Sequence, residues 1–255
     1  MSLDAPPFFY LECATANDSK GIGHLRKLGL IGGMSWVSTR GYYEDINRIV
    51  QKAKGPQSSA PLLIESLDFA PLYRLSTRED WDKAAKAIGE SANRLETAGA
   101  EAIVIAANSM HCIVDRVAEA ISIPILHIAD CVADAMIDAG AKKAAILGTR
   151  NVMLEEFYRR RLLARDIELL PPQMDIVETI DRIVYEEVML GKVRRQSERE
   201  LRTIITNLEK DGAEAVVLAC TELNLIVHTD ANVLPIFDGA EIHAVAAARW
   251  ILGEG

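Results

Sequence analysis

The sequence predicts an α/β protein of two pseudo-symmetric lobes, each a mainly parallel sheet flanked by helices, with an active site in the cleft between them. Three observations predict it. Short apolar stretches alternate with helical segments of a dozen or more residues, the pattern of parallel strands joined by crossover helices. The pattern also occurs twice. Gly99-Ala100-Glu101-Ala102-Ile103-Val104-Ile105-Ala106-Ala107-Asn108 returns about 110 residues later as Gly212-Ala213-Glu214-Ala215-Val216-Val217-Leu218-Ala219-Cys220-Thr221. Lys27-Leu28-Gly29-Leu30-Ile31-Gly32 likewise resembles Lys143-Ala144-Ala145-Ile146-Leu147-Gly148, and Ile123-Pro124-Ile125 resembles Leu234-Pro235-Ile236. A period of that length marks a duplicated domain rather than a solenoid. Finally, small and polar residues follow the predicted strands, at the carboxyl ends where parallel sheets bind ligands.

The chain has 255 residues, 49% of them hydrophobic, enough for two lobes with cores of their own. A net charge of −9 argues against nucleic acid or an anionic membrane as partner. No apolar run reaches the ~18 residues a membrane span needs. The four cysteines, 13, 112, 131 and 220, form no CxxC pair. That excludes a regular disulfide framework or zinc site and fits reduced thiols in the cytoplasm. Gly29, Gly32 and Gly33 do not form the spacing of a dinucleotide fingerprint, and no cofactor or metal is expected.

Taken in order, residues 1–25 lack a signal-peptide pattern and read as a tail, disordered or vector-derived. Residues 27–31 read as a strand, followed by the turn Gly32-Gly33-Met34-Ser35 and a helix from Ser38 to about Lys52. Leu62–Leu67 is a strand, Trp81–Ala98 a helix stopped by Gly99, and Ala102–Ala106 a strand. A helix is expected from Ser109 and a fourth strand over Pro124–Ile128. The second half repeats the scheme. Strands are expected at Ala144–Leu147, Glu168–Leu170, Ala215–Ala219 and Pro235–Phe237. Helices are expected at Met153–Arg165, Asp175–Leu190, Ser197–Asp211 and Gly239–Leu252, the last packing across to the first lobe. Lobe 1 is thus 26–130 plus 239–253, and lobe 2 is 131–238.

The strand ends hold the candidates for chemistry. Cys220 ends the second copy of the repeat where Ala107 ends the first. A helix start after Cys220 would lower its thiol pKa and favour the reactive thiolate. Buried packing is the alternative role for a free cysteine. Asn108-Ser109 and Thr221-Glu222 sit at expected helix starts, where free amides and short polar side chains suit a carboxylate. Cys112, Cys131, His111 and His243 read as structural, and the run Arg159-Arg160-Arg161 as a solvated helix face. Arg40, Arg74 and Arg150 are the candidate partners for a second carboxylate.

These residues carry a resemblance. Leu30-Ile31-Gly32-Gly33-Met34-Ser35-Trp36, with Ser38-Thr39 and Tyr42-Tyr43, resembles the amino-terminal signature of the aspartate/glutamate racemase family. Ala107-Asn108-Ser109-Met110-His111 and Ala219-Cys220-Thr221-Glu222-Leu223 resemble its two catalytic segments. The resemblance spans about residues 26–252. It implies a cofactor-independent amino-acid racemase, often a homodimer, acting on a small amino acid or dicarboxylate. Two cysteines on facing lobes there exchange the α-proton. It further implies Cys220 as an acid/base, and Met34, Asn108, Ser109, Thr149, Thr221 and Glu222 as substrate-binding residues. The sequence departs from the family at the first catalytic position, usually cysteine and sometimes threonine, which is Ala107. The one-cysteine malonate-type decarboxylases of the same superfamily, and a non-catalytic amino-acid or dicarboxylate-binding protein, are the alternatives.

Overall fold

The computed structural model describes residues 24–228 and 232–254. The expected tail over 1–25 therefore lies almost wholly outside the described residues. Leu25, within them, packs against the core.

The first half forms β1 (Leu28–Gly32), α1 (Trp36–Lys54), β2 (Leu62–Ser66), α2 (Arg78–Thr97), β3 (Ala102–Ile105), α3 (Val114–Ala118) and α4 (Ile128–Asp138). The second half continues with β4 (Lys143–Gly148), α5 (Arg150–Leu154), α6 (Glu156–Leu163), β5 (Glu168–Leu169) and α7 (Met174–Glu186). It ends with α8 (Arg195–Lys210), β6 (Ala215–Ala219), β7 (Ile236–Asp238) and α9 (Gly239–Leu252). Two all-parallel sheets result, ordered β2-β1-β3 and β5-β4-β6-β7. Helices cover both faces, so β1, β3 and β6 are apolar and buried throughout, whereas β2 carries the exposed Ile64 and the polar Glu65 and Ser66.

Strand periodicity sorts the core. Leu28, Leu30, Ala102 and Val104 face α1 and α9, where Tyr42, Ile46, Ala244, Ala248 and Ile251 meet them. Ile31, Ile103 and Ile105 face α2. In the second sheet Leu147, Val216 and Leu218 face α7 and α8, while Ile146, Ala215 and Val217 face α4 and α6. By the same alternation Ala107 continues the α2 face and Cys220 the α7/α8 face. The last helix is tied back further by the Arg26 amide, which donates to Ile251 O at 3.0 Å.

Three expectations need correction. The segment 124–128 is not a strand. It makes one bridge, Ile103 with Ile125, and then turns into α4, whose Ala129 amide is capped by His127 Nδ1. The buried positions Ile128, Ala129, Val132, Ala133 and Met136 of α4 have helical spacing. The helix expected from Ser109 begins as a 3-10 turn, Ser109–Ile113. The helix expected over 153–165 is broken at Glu155, whose ψ of 148° is extended, and so divides into α5 and α6.

Three buried histidines join β3, α4 and α9. His111 lies 4.6 Å from His127 and 5.4 Å from His243, ring centre to ring centre. Their partners fix the tautomers, because a carbonyl only accepts and an amide only donates. His111 Nε2 donates to Ile105 O at 3.1 Å, while its Nδ1 faces the Ile128 amide at 3.4 Å. His243 Nε2 donates to Leu126 O at 2.9 Å, leaving Nδ1 to accept from the Tyr42 hydroxyl at 3.0 Å. His127 Nδ1 accepts from the Ala129 amide. None of these rings can take a second proton without losing a donor.

Burial accordingly holds all three neutral. It pushes His127 down to about 3 and His243 to about 4, and His111 well below its usual value. Unfolded histidines titrate near ~6.5, so their contribution is intact above that pH and is lost as pH falls toward about 4. Glu241, pushed up to about 7 by burial, opposes part of this. Asp238, raised by burial, opposes it too, and with three histidines against these carboxyls the expected outcome is a net loss of stability as pH falls from about 6 to 5. Urea melts at stepped pH check this; a midpoint unchanged between those values would exclude a neutral-locked cluster.

Candidate active site

The ends of β1, β3, β4 and β6 converge on one cleft between the two sheets. Met34, Ala107, Asn108, Ser109, Thr149, Cys220, Thr221 and Glu222 all line it. The chain reaches this geometry through the turn after β1. Gly33 has φ +89°, and a Cβ there would sit 2.1 Å from Leu67 O, so only glycine fits.

Ala107 is buried and belongs to an apolar wall with Met34, Leu72, Leu75 and Met110. The wall continues through Phe69, Trp81 and Met189, which the sequence offered no pattern to find. Arg74 also lines the cleft, with its guanidinium 4.3 Å from the Tyr185 ring centre. Arg40 and Arg150 do not line it.

The expected anion cradle differs from the one found. Ser109–Ile113 and Thr221–Leu225 are single 3-10 turns of 5 residues each, too short to sum a helix dipole. The polar groups on offer are side chains. Asn108 Nδ2 and Oδ1 and Thr149 Oγ1 are buried at the cleft without a hydrogen-bond partner among the described residues. Unpaired buried polar atoms cost about 1–3 kcal/mol each, so groups of this kind suit a polar ligand.

Cys220 also departs from expectation. Its thiol is not lowered by a helix start. Burial and the neighbouring Glu222 carboxylate push it well above its usual value. Cys220 Sγ donates to Glu222 Oε2 at 3.2 Å. The same carboxylate faces the hydroxyls of Ser35 at 2.7 Å, Ser38 at 3.1 Å and Thr221 at 2.7 Å. Glu222 therefore points at the thiol and at the β1–α1 turn. Cys112 and Cys131 are pushed up to about 12, chiefly by burial, in keeping with packing roles. Among the described residues no cluster of His, Cys, Asp and Glu could hold a metal ion.

A model of the family described as Asp/Glu/Hydantoin racemase matches residues 31–247. The chain belongs to that family. The broad specificity amino-acid racemase RacX of Bacillus subtilis (strain 168) is 24% identical over 217 residues, covering 84% of this chain and 92% of that one. A crystal structure of a putative Asp/Glu racemase from Yersinia pestis is 40% identical and superposes with a TM-score of 0.84, over 89% of this chain and 100% of that one. An aspartate racemase homologue from Pyrococcus horikoshii OT3 is 32% identical, with a TM-score of 0.78 over 89% and 100% of the two chains. Membership of the racemase family agrees with the parallel sheets and the strand-end cleft. No helix among the described residues is long and apolar enough to cross a membrane.

The thiols give a direct test of this site. In a Cys13→Ser background, ultraviolet thiolate absorbance should stay flat up to about pH 9, above the ~8.5 of an ordinary cysteine. A thiolate titrating at or below that value, lost in Cys220→Ser, would contradict the burial described.

Proposed function

We propose that this racemase-family chain is a cofactor-independent enzyme that moves a proton at the α-carbon of a small amino acid or dicarboxylate, with Cys220 as its single thiol acid/base. The observation that carries the reading is the asymmetry of the cleft: a thiol follows β6 at Cys220 where a methyl group follows β3 at Ala107. Asn108, Ser109, Thr149 and Thr221 would hold the α-carboxylate, and the unpartnered amide and hydroxyl support that role. Met34 would pack on the substrate. Glu222, which the resemblance implies as a substrate contact, is better suited to serve the thiol. Two-base racemisation needs a donor on each face of the carbanion. Ala107 has no proton to give. The reading keeps lobes of 26–130 with 239–253 and of 131–238, supported by the packing of α9 on β1 and β3. It also carries the homodimer that the family resemblance implies and the cytoplasmic location that the unpaired cysteine pattern suggests.

A second reading draws on the thiol itself. A buried, protonated Cys220 facing an apolar wall at Ala107 suits proton delivery to a carbanion left by decarboxylation of a 2-substituted malonate. Such a step needs a donor on one face only.

The expected outcome in deuterium oxide is α-deuteration of one enantiomer of a substrate amino acid, with retention. Cys220→Ala should abolish it. Ala107→Cys should raise racemisation by about 10²–10⁴-fold, the usual worth of one positioned acid or base. Brisk racemisation by the unmodified chain, unchanged by Ala107→Cys, would put the second acid elsewhere. Carbon dioxide release from a 2-substituted malonate, without α-exchange of amino acids, would favour the decarboxylase.

A further inference from the structure

A thiol acid/base that labels its substrate with solvent deuterium must exchange its own proton with water, and this thiol is nearly buried. Cys220 is 5% exposed and Glu222 is 6% exposed. The hydroxyls around Glu222 form a chain. Glu222 Oε2 lies 2.7 Å from Thr221 Oγ1, which lies 2.6 Å from Ser38 Oγ, which lies 3.3 Å from Ser35 Oγ. Ser35 is half-buried beside the exposed Trp36, so the chain ends at the surface. Ser35 also donates to Glu222 Oε1. The donors cannot all point at the carboxylate together. The 2.6 Å Ser38–Thr221 contact requires one hydroxyl to donate to the other, which is the alignment a relay needs.

We propose that Glu222, with Thr221, Ser38 and Ser35 leading outward, is a proton relay that exchanges the Cys220 proton with solvent. Sγ–H passes its proton to Glu222 Oε2, leaving a thiolate and a carboxylic acid. The acid gives that proton to Thr221 Oγ1, each hydroxyl releases its own as it receives the next, and Ser35 releases one to water. The reverse passage recharges the thiol, and every oxygen ends with the protons it began with. Glu222 is here a positioning residue, since it acts through Cys220. Ser35 and Ser38 belong to the first half of the chain and Cys220–Glu222 to the second, so the relay is complete only when the two sides of the cleft meet.

The relay rests on Cys220 being the acid/base of the proposed function, and its first test needs no turnover. On transfer to deuterium oxide, the infrared S–H band of Cys220, assigned by its loss in Cys220→Ser, is followed as it becomes S–D. Glu222→Gln and Ser35→Ala should each slow that conversion by roughly 10²-fold. Glu222→Gln should also lower the thiol titration midpoint, since a negative charge beside it is removed, whereas Ser35→Ala should leave the midpoint in place. Glu222→Asp, which restores a carboxylate, should recover much of the rate. Wild-type S–D conversion in both Glu222→Gln and Ser35→Ala overturns the relay. Absence of α-deuteration in the unmodified chain, with relay-dependent S–D conversion intact, would instead overturn the proposed function alone.

Discussion

The structure turns on a buried carboxylate between two sheets. A charge removed from water is tolerated only when donors surround it. For Glu222 those donors come from both halves of the chain: Cys220 and Thr221 beside it, and, more than 180 residues away, Ser35 together with Ser38, which shares one proton with Thr221. Bonds to a charged acceptor contribute about 1.5–3 kcal/mol each. They therefore fix how the β1–α1 turn sits against the end of β6. The turn in turn depends on Gly33, which lets the backbone pass Leu67. Opening the cleft strips donors from the carboxylate, so the thiol's surroundings and the shape of the cleft change together.

Much of this was legible in the sequence because duplication and strand ends leave local patterns. The repeat around Ala107 and Cys220 is contiguous, and the residues it marked line one cleft. The last helix was readable to its bounds, Gly239–Leu252, between the capping Asp238 and the left-handed Gly253. Other features were not legible, for physical reasons. Ile123-Pro124-Ile125 has strand composition, yet the chain leaves the sheet after a single bridge because His127 caps a helix there. The state of the Cys220 thiol depends on burial and on a carboxylate aimed by distant serines, and neither is a sequence pattern. The apolar wall of Phe69, Leu72, Trp81 and Met189 draws on separate segments with no shared spacing.

The asymmetry of the cleft is sharper in three dimensions than in the alignment of the two repeats. Ala107 is one member of a continuous apolar surface. The opposite position sits among hydroxyls and a carboxylate. A thiol placed at 107 would find no carboxylate partner like Glu222, since the equivalent residue two positions on is Ser109. The two halves share a backbone plan but differ in how each treats a proton.

The return of α9 to the first sheet has a consequence for how the protein is made. Ala244, Ala247, Ala248 and Ile251 complete the core over β1 and β3, yet they are synthesised about 200 residues after β1. At ~5–20 residues per second, that apolar face waits on the order of 10–40 seconds for its cover. The second sheet carries its covering helices α4 and α6–α8 within or next to its own stretch of chain. Until α9 follows β7 out of the ribosome, α1 alone covers that face of the first sheet, and the earliest half of the chain stays partly open until synthesis ends.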